Sequence, residues 1–99
     1  HYLKKLFNYL KDINVDSYLV IYPNPGQILF NTKNFNEDYW IRWSNNNDVK
    51  LINMYKYFQG ADKKKIINEY FIKGDVHWNK KGHVLVSEII KKEIFDKIK

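Results

Sequence analysis

The amino-acid sequence predicts an α/β fold, and three observations carry that expectation. Apolar residues at helical spacing open the chain, a continuous apolar run "YLVIY" (18–22) follows, and a second helical stripe closes it. A helix set before a strand that reads as buried on both faces, and then a loop, suggests helices layered on a parallel sheet. Ninety-nine residues allow one domain, and 44% hydrophobic with 17% aromatic content is enough for a core.

The elements follow in order. Leu3, Leu6, Phe7, Leu10 and Ile13 recur at helical spacing, so residues 2–13 are expected to form an amphipathic helix. Asn14 to Ser17 make the turn into the strand "YLVIY", and "PNPG" (23–26) ends it, since two prolines and a glycine cannot continue a ladder. Asn36 with Glu37 and Asp38 reads as a helix start, placing acids at the positive helix end. Tyr39, Trp40 and Trp43 then share a side of a short helix, "SNNND" (44–48) is expected to be a loop, and "VKLINMY" (49–55) a second strand. Gly60 and Asp62 introduce a short helix through Tyr70, with Ile66, Ile67 and Tyr70 as its buried stripe. Asn79 is a good N-cap for a last helix over about 80–97, in which Val86, Ile90, Ile94 and Ile98 lie four apart. The first turn of that helix is poor: Lys80 and Lys81 oppose the dipole and Gly82 is a weak helix former. A glycine there would let another segment approach closely.

Composition excludes some functions. With no cysteine, disulfides and thiolate metal sites are ruled out, and the compartment stays open. No apolar run approaches the length of a membrane span. The net charge of +6 rests on lysines scattered along helix faces, with Arg42 the single arginine. Phosphate recognition favours arginine's planar fork and basic residues clustered on one face, so no nucleic-acid partner is expected. The chain opens on His1 already inside a helical pattern, which reads as a piece of a longer protein.

Chemistry concentrates in "GDVHWNKKGH", Gly74 to His83, which holds two of the three histidines. If residues 75–78 are extended, Asp75 and His77 point to one side and Val76 and Trp78 to the other, inward. A carboxylate beside an imidazole orients a general base: it accepts the Nδ1 proton and stabilises the imidazolium formed in turnover. Residues of these types before a helix also serve as caps and surface polar groups, and spacing alone leaves that open.

This stretch, followed by an apolar helix, resembles the last block of the SGNH, or GDSL-type, hydrolases and acyltransferases, where an Asp and a His complete a Ser-His-Asp triad. The usual block is D-x-x-H; here it is Asp75-Val76-His77, closer to the D-x-H-W block of SGNH-like polysaccharide O-acetyltransferases, which Trp78 fits. "LVIYPNPGQI" (19–28) is similar to a strand-to-loop segment upstream of that block. The resemblance implies a three-layer, flavodoxin-like α/β fold, of which residues 1–99 would be the C-terminal part, lacking the N-terminal part of its own domain. It implies hydrolysis or transfer of an ester-linked acyl group, with a small-molecule or carbohydrate ester as substrate and no cofactor. His77 would be the general base and Asp75 its orienting acid.

The nucleophile is the point of departure. A G-D-S motif should follow the first strand, and none is present. Ser17 precedes a strand, Ser44 sits in the Asn-rich segment, and Ser87 belongs to the final helix. The oxyanion glycine and asparagine blocks are also missing, so the serine is expected outside these residues. Two other readings stand beside this one. Asp75, His77 and His83 could supply three ligands to a zinc ion. Tyr39, Trp40 and Trp43 could form a sugar- or protein-binding platform on a non-catalytic module.

Overall fold

A computed structural model of the chain describes residues 1–30 and 35–95. Helix α1 (Tyr2–Asp12) buries Phe7, whose ring meets Trp43 at 6.1 Å, while Leu3 and Leu10 are half-buried. Lys11 fixes its last turn by donating to the carbonyls of Asp48 (2.7 Å) and Asn47 (3.3 Å). The chain leaves α1 through Asn14 at φ 58°, a left-handed position that asparagine tolerates better than most residues.

Strands β1 (Tyr18–Ile21) and β2 (Lys50–Asn53) then pair in parallel, with Tyr18 opposite Lys50 and Ile21 opposite Asn53. Parallel pairing requires a crossover. Two helices supply it, α2 (Pro25–Phe30) and α3 (Phe35–Asn46). After β2 come a 3₁₀ turn (Tyr55–Phe58), helix α4 (Lys63–Tyr70), helix α5 (Lys80–Ile90) and a π-helical turn (Lys91–Phe95). Ile28, Ile52, Met54, Phe58, Phe71, Val86 and Ile89 form the core where β2, the 3₁₀ turn and the last two helices meet.

The expected three-layer, flavodoxin-like α/β fold is not what the chain forms. It is mostly helical, with a two-stranded parallel sheet among the described residues. "YLVIY" is not buried on both faces: Tyr18, Leu19 and Val20 are half-buried, and Tyr22 is 40% exposed. A continuous apolar run is silent about how many layers cover it, and two strands give helices too little sheet to cover twice.

Three local expectations also change. The "PNPG" stop does end β1, but α2 starts inside it. Asn24 Oδ1 accepts from the Gln27 amide and Gln27 Oε1 accepts from the Asn24 amide, each at 2.9 Å. This is a reciprocal capping box with Pro25 at the first helical position, where its missing N–H costs nothing. The "SNNND" loop is helical through Asn46, because polar side chains there satisfy the helix's own carbonyls: Ser44 Oγ donates to Ile41 O (3.0 Å) and Asn47 Nδ2 to Trp43 O (2.8 Å). The last helix runs as an α-helix to Ile90 and then widens. Residues spaced by four drift around a 3.6-residue helix, and a wider turn keeps Ile94 against the core with Val86 and Ile90. Ile98 and the expected helix end near 97 lie outside the described residues.

Candidate active site

The loop joining α4 to α5 has a built base. Asn79 N donates to Tyr70 O and Ile72 N donates to His77 O, each at 2.9 Å, bracketing an antiparallel bridge between Phe71 and Trp78. Phe71 is buried at 2% exposure, and Trp78 packs against the same core with Tyr22 over it at 4.4 Å. The Trp78 indole Nε1 is buried with no partner among the described residues, so this side chain is placed by packing and not by a hydrogen bond.

Asn79 ties the two helices together. Its Oδ1 caps α5 through the Gly82 amide (2.8 Å), while its Nδ2 donates to the carbonyls of Glu69 (2.9 Å) and Phe71 (3.3 Å) at the end of α4. The close approach requires Gly82. A Cβ at that position would lie 2.1 Å from Tyr70 O and 2.8 Å from Trp78 Cβ. The weak first turn of α5 is explained by this contact.

The tip of the loop turns instead of running extended. Asp75 N donates to Ile72 O at 2.9 Å across Lys73 and Gly74, and Gly74 takes φ 74°, the requirement at the third residue of a type II turn. Simple alternation therefore fails: Trp78 is inward as expected, but Val76 is 55% exposed. The pairing of the two chemical residues survives. Asp75 Oδ1 lies 2.6 Å from His77 Nδ1 and also accepts from the amides of Val76 (2.6 Å) and His77 (3.3 Å). The His77 side chain beside it and the two amides hold the Asp75 carboxyl below its ordinary value of 3.8. Near neutral pH the carboxylate is thus ionised and can only accept, so a neutral His77 must carry its proton on Nδ1. Nε2 then keeps its lone pair, and the side chain is 75% exposed. A base in this state can take a proton from an incoming group.

The loop tip borders a cleft through Val76. Parallel strands end on the same side, and beyond their C-terminal ends Tyr22, Asn24, Gln27, Asn36, Trp40, Tyr55 and Val76 line a volume of about 390 Å³. Val76, between Asp75 and His77, forms part of its wall. The space beyond the carboxyl ends of parallel strands is where ligands of α/β proteins commonly bind. Sequence reasoning missed the α2 side of this cleft. The legible signal was Asn24-Pro25-Gly26-Gln27, a capping box that aims two carboxamides there.

The remaining candidates fall elsewhere. Ser44 is buried on α3, Ser87 Oγ donates to His83 O on α5, and Ser17 precedes β1, at the strand end opposite the cleft. None of the three lines the cleft. The zinc reading is corrected: His83 packs edge-on to Trp78 at 5.6 Å, and no three His, Cys, Asp or Glu side chains gather to hold a metal among the described residues. Tyr39, Trp40 and Trp43 meet edge to face, with interplanar angles of 89° and 73°, so they present no common flat platform. Among the described residues no helix is long and apolar enough to cross a membrane. Comparison with protein-family models, curated proteins and solved structures finds no match to this chain.

Proposed function

We propose that the Asp75–His77 loop is the acid–base half of a Ser-His-Asp triad in an ester hydrolase or O-acyltransferase. The observation that carries the reading is the 2.6 Å contact between Asp75 Oδ1 and His77 Nδ1, made by an exposed imidazole next in sequence to Val76, which lines a cleft. His77 Nε2 removes the proton of a hydroxyl as it attacks the acyl carbonyl, and later returns it to the leaving oxygen. Asp75 holds the tautomer and stabilises the imidazolium formed in between. The triad serine comes from outside these residues, because each of the chain's three serines lies away from the cleft. The SGNH-like block Asp75-Val76-His77-Trp78 supports the same division of labour, without the layered fold that usually accompanies it.

The test uses an aryl acetate as substrate. By itself the 99-residue chain is expected to hydrolyse it no faster than an equal concentration of free imidazole, because no serine lines the cleft among the described residues. In the protein extended to include its nucleophile, His77→Ala should lower kcat/KM by roughly 10⁴-fold or more, about as far as removing the serine itself, because triad members act as a unit. Near-unchanged turnover after His77→Ala contradicts the reading.

A further inference from the structure

The first turn of α5 carries Lys80 and Lys81 against the helix dipole, and its last turn carries Glu88, again the disfavoured sign. The contact at Gly82 explains the small residue in that turn but not these charges. Among the described residues none of the three makes an ion pair. Lys81 and Glu88 lie two turns apart, about 10 Å along the axis, beyond the one-turn spacing at which helix side chains pair. Between them Val84 is 57% exposed and Leu85 is half-buried. With 3.6 residues per turn, Lys81, Val84, Leu85 and Glu88 fall within one arc of about 100°.

This face forms one wall of a groove. Glu69 and Tyr70 of α4 line the other, and the groove has a volume of about 470 Å³. It shares no lining residue with the cleft beyond the strands, so the catalytic reading does not account for it. Its mixed signs narrow the partner. A polyanion or an acidic segment would meet Glu69 and Glu88 in the same groove, where like charges repel.

The α5 wall is its own complement when reversed: basic, apolar, apolar, acidic. An antiparallel copy of α5, related by a two-fold axis between Val84 and Leu85, sets Lys81 opposite Glu88 of the second copy and Val84 opposite its Leu85. The axis makes the two ion pairs equivalent, so both form at once. Each charge then also lies at the favourable end of the other helix, Glu88 beside an N-terminus and Lys81 beside a C-terminus. A parallel copy would set lysine against lysine and glutamate against glutamate. We infer that this face is a homodimer interface, in which two copies of the chain pair antiparallel along α5 through Val84 and Leu85, with a Lys81–Glu88 ion pair at each end. A single helix pair is at the small end of protein interfaces, so the dissociation constant is expected on the order of 100 µM.

The experiment is sedimentation velocity of the 99-residue chain from about 5 µM to about 1 mM, a range that spans the expected constant. Dimer should appear toward the upper end. Lys81→Glu and Glu88→Lys should each weaken self-association at least tenfold, because each creates two like-charge contacts in the dimer. Neither should unfold the chain, since each puts the favoured sign at its own helix end. Mixed in equal amounts, the two variants should associate with each other about as tightly as the native chain, both contacts again being opposite in sign. Lys81→Glu and Glu88→Lys combined in one chain should restore self-association for the same reason. A native chain that stays monomeric throughout the range overturns the inference. Self-association that the single variants leave unchanged also overturns it, as a dimer built on the exposed α1 stripe of Tyr2, Leu6, Tyr9 and Ile13 would show. A mixture of the two variants that fails to associate overturns it as well.

Discussion

The two ends of the α4–α5 loop are held by different means. The base is fixed by the core: Phe71 is buried, Trp78 packs beside it, and Asn79 reaches the carbonyls of α4 while capping α5. The tip is fixed by itself. Gly74 makes the turn, and one carboxylate oxygen of Asp75 collects two amides and an imidazole, all in contact with solvent. Tertiary packing sets where the tip stands, and local hydrogen bonds set what it presents. Substitutions at the base should therefore act on stability, and those at the tip on chemistry with little effect on stability.

The largest effect should come from Gly82→Ala. The added methyl meets a backbone carbonyl that cannot yield cheaply, at 2.1 Å, and the Trp78 Cβ at 2.8 Å. Overpacking of this kind costs about 3 kcal/mol, well beyond the ~1 kcal/mol that alanine gains over glycine in a helix. Urea denaturation should show a lower midpoint; an unchanged or raised midpoint would break the claim that α4 and α5 touch here.

Asn79 comes next and can be dissected. Asn79→Ala removes the cap and orphans the contacts to Glu69 O and Phe71 O, for a loss of about 2 kcal/mol. Asn79→Asp keeps the capping oxygen and removes only the donors, so its loss should be about half as large. Equal losses in the two variants would mean that the bridge to α4 contributes nothing.

The smallest stability effect belongs to the tip. Asp75→Asn should shift the denaturation midpoint by less than the error of either base variant. Its consequence is local and depends on pH. Because the folded carboxyl is held below 3.8, mainly by the His77 side chain, the stabilisation of the loop is complete above that value. It is lost as pH falls through the lower folded value. The amide resonances of Val76 and His77 should report this step together, with a midpoint below 3.8 and no change in the Phe71 amide. A midpoint at or above 3.8 would show that the carboxylate is not held.

Much of this contrast was legible in residues. Helix-spaced apolar stripes placed α1, α4 and the start of α5, Asn79 marked a cap that the structure shows, and Asp62, read as part of a helix start, proves to be its cap, with Oδ1 accepting from Lys65 N. The adjacency of Asp75 and His77 was readable because a separation of two residues keeps side chains near each other in a turn as well as in a strand. The direction of Val76 was not, since alternation assumes extended backbone and Gly74 breaks it. The layering was also hidden: "YLVIY" encodes apolar surface, and only tertiary context decides how much of it is covered. α2 was obscured because prolines and glycine read first as a stop, although Pro25 and Gln27 sit where a helix start wants them.

The central claim is that Asp75 fixes His77 as a base with its lone pair on Nε2, and ring-nitrogen NMR measures this directly. Long-range ¹H–¹⁵N correlation spectra of the neutral imidazole distinguish a protonated Nδ1 from a protonated Nε2. The account requires a protonated Nδ1 in the native chain, and a shift of population toward protonated Nε2 in Asp75→Ala. A native His77 that carries its proton on Nε2, or a tautomer that ignores the loss of Asp75, would contradict it.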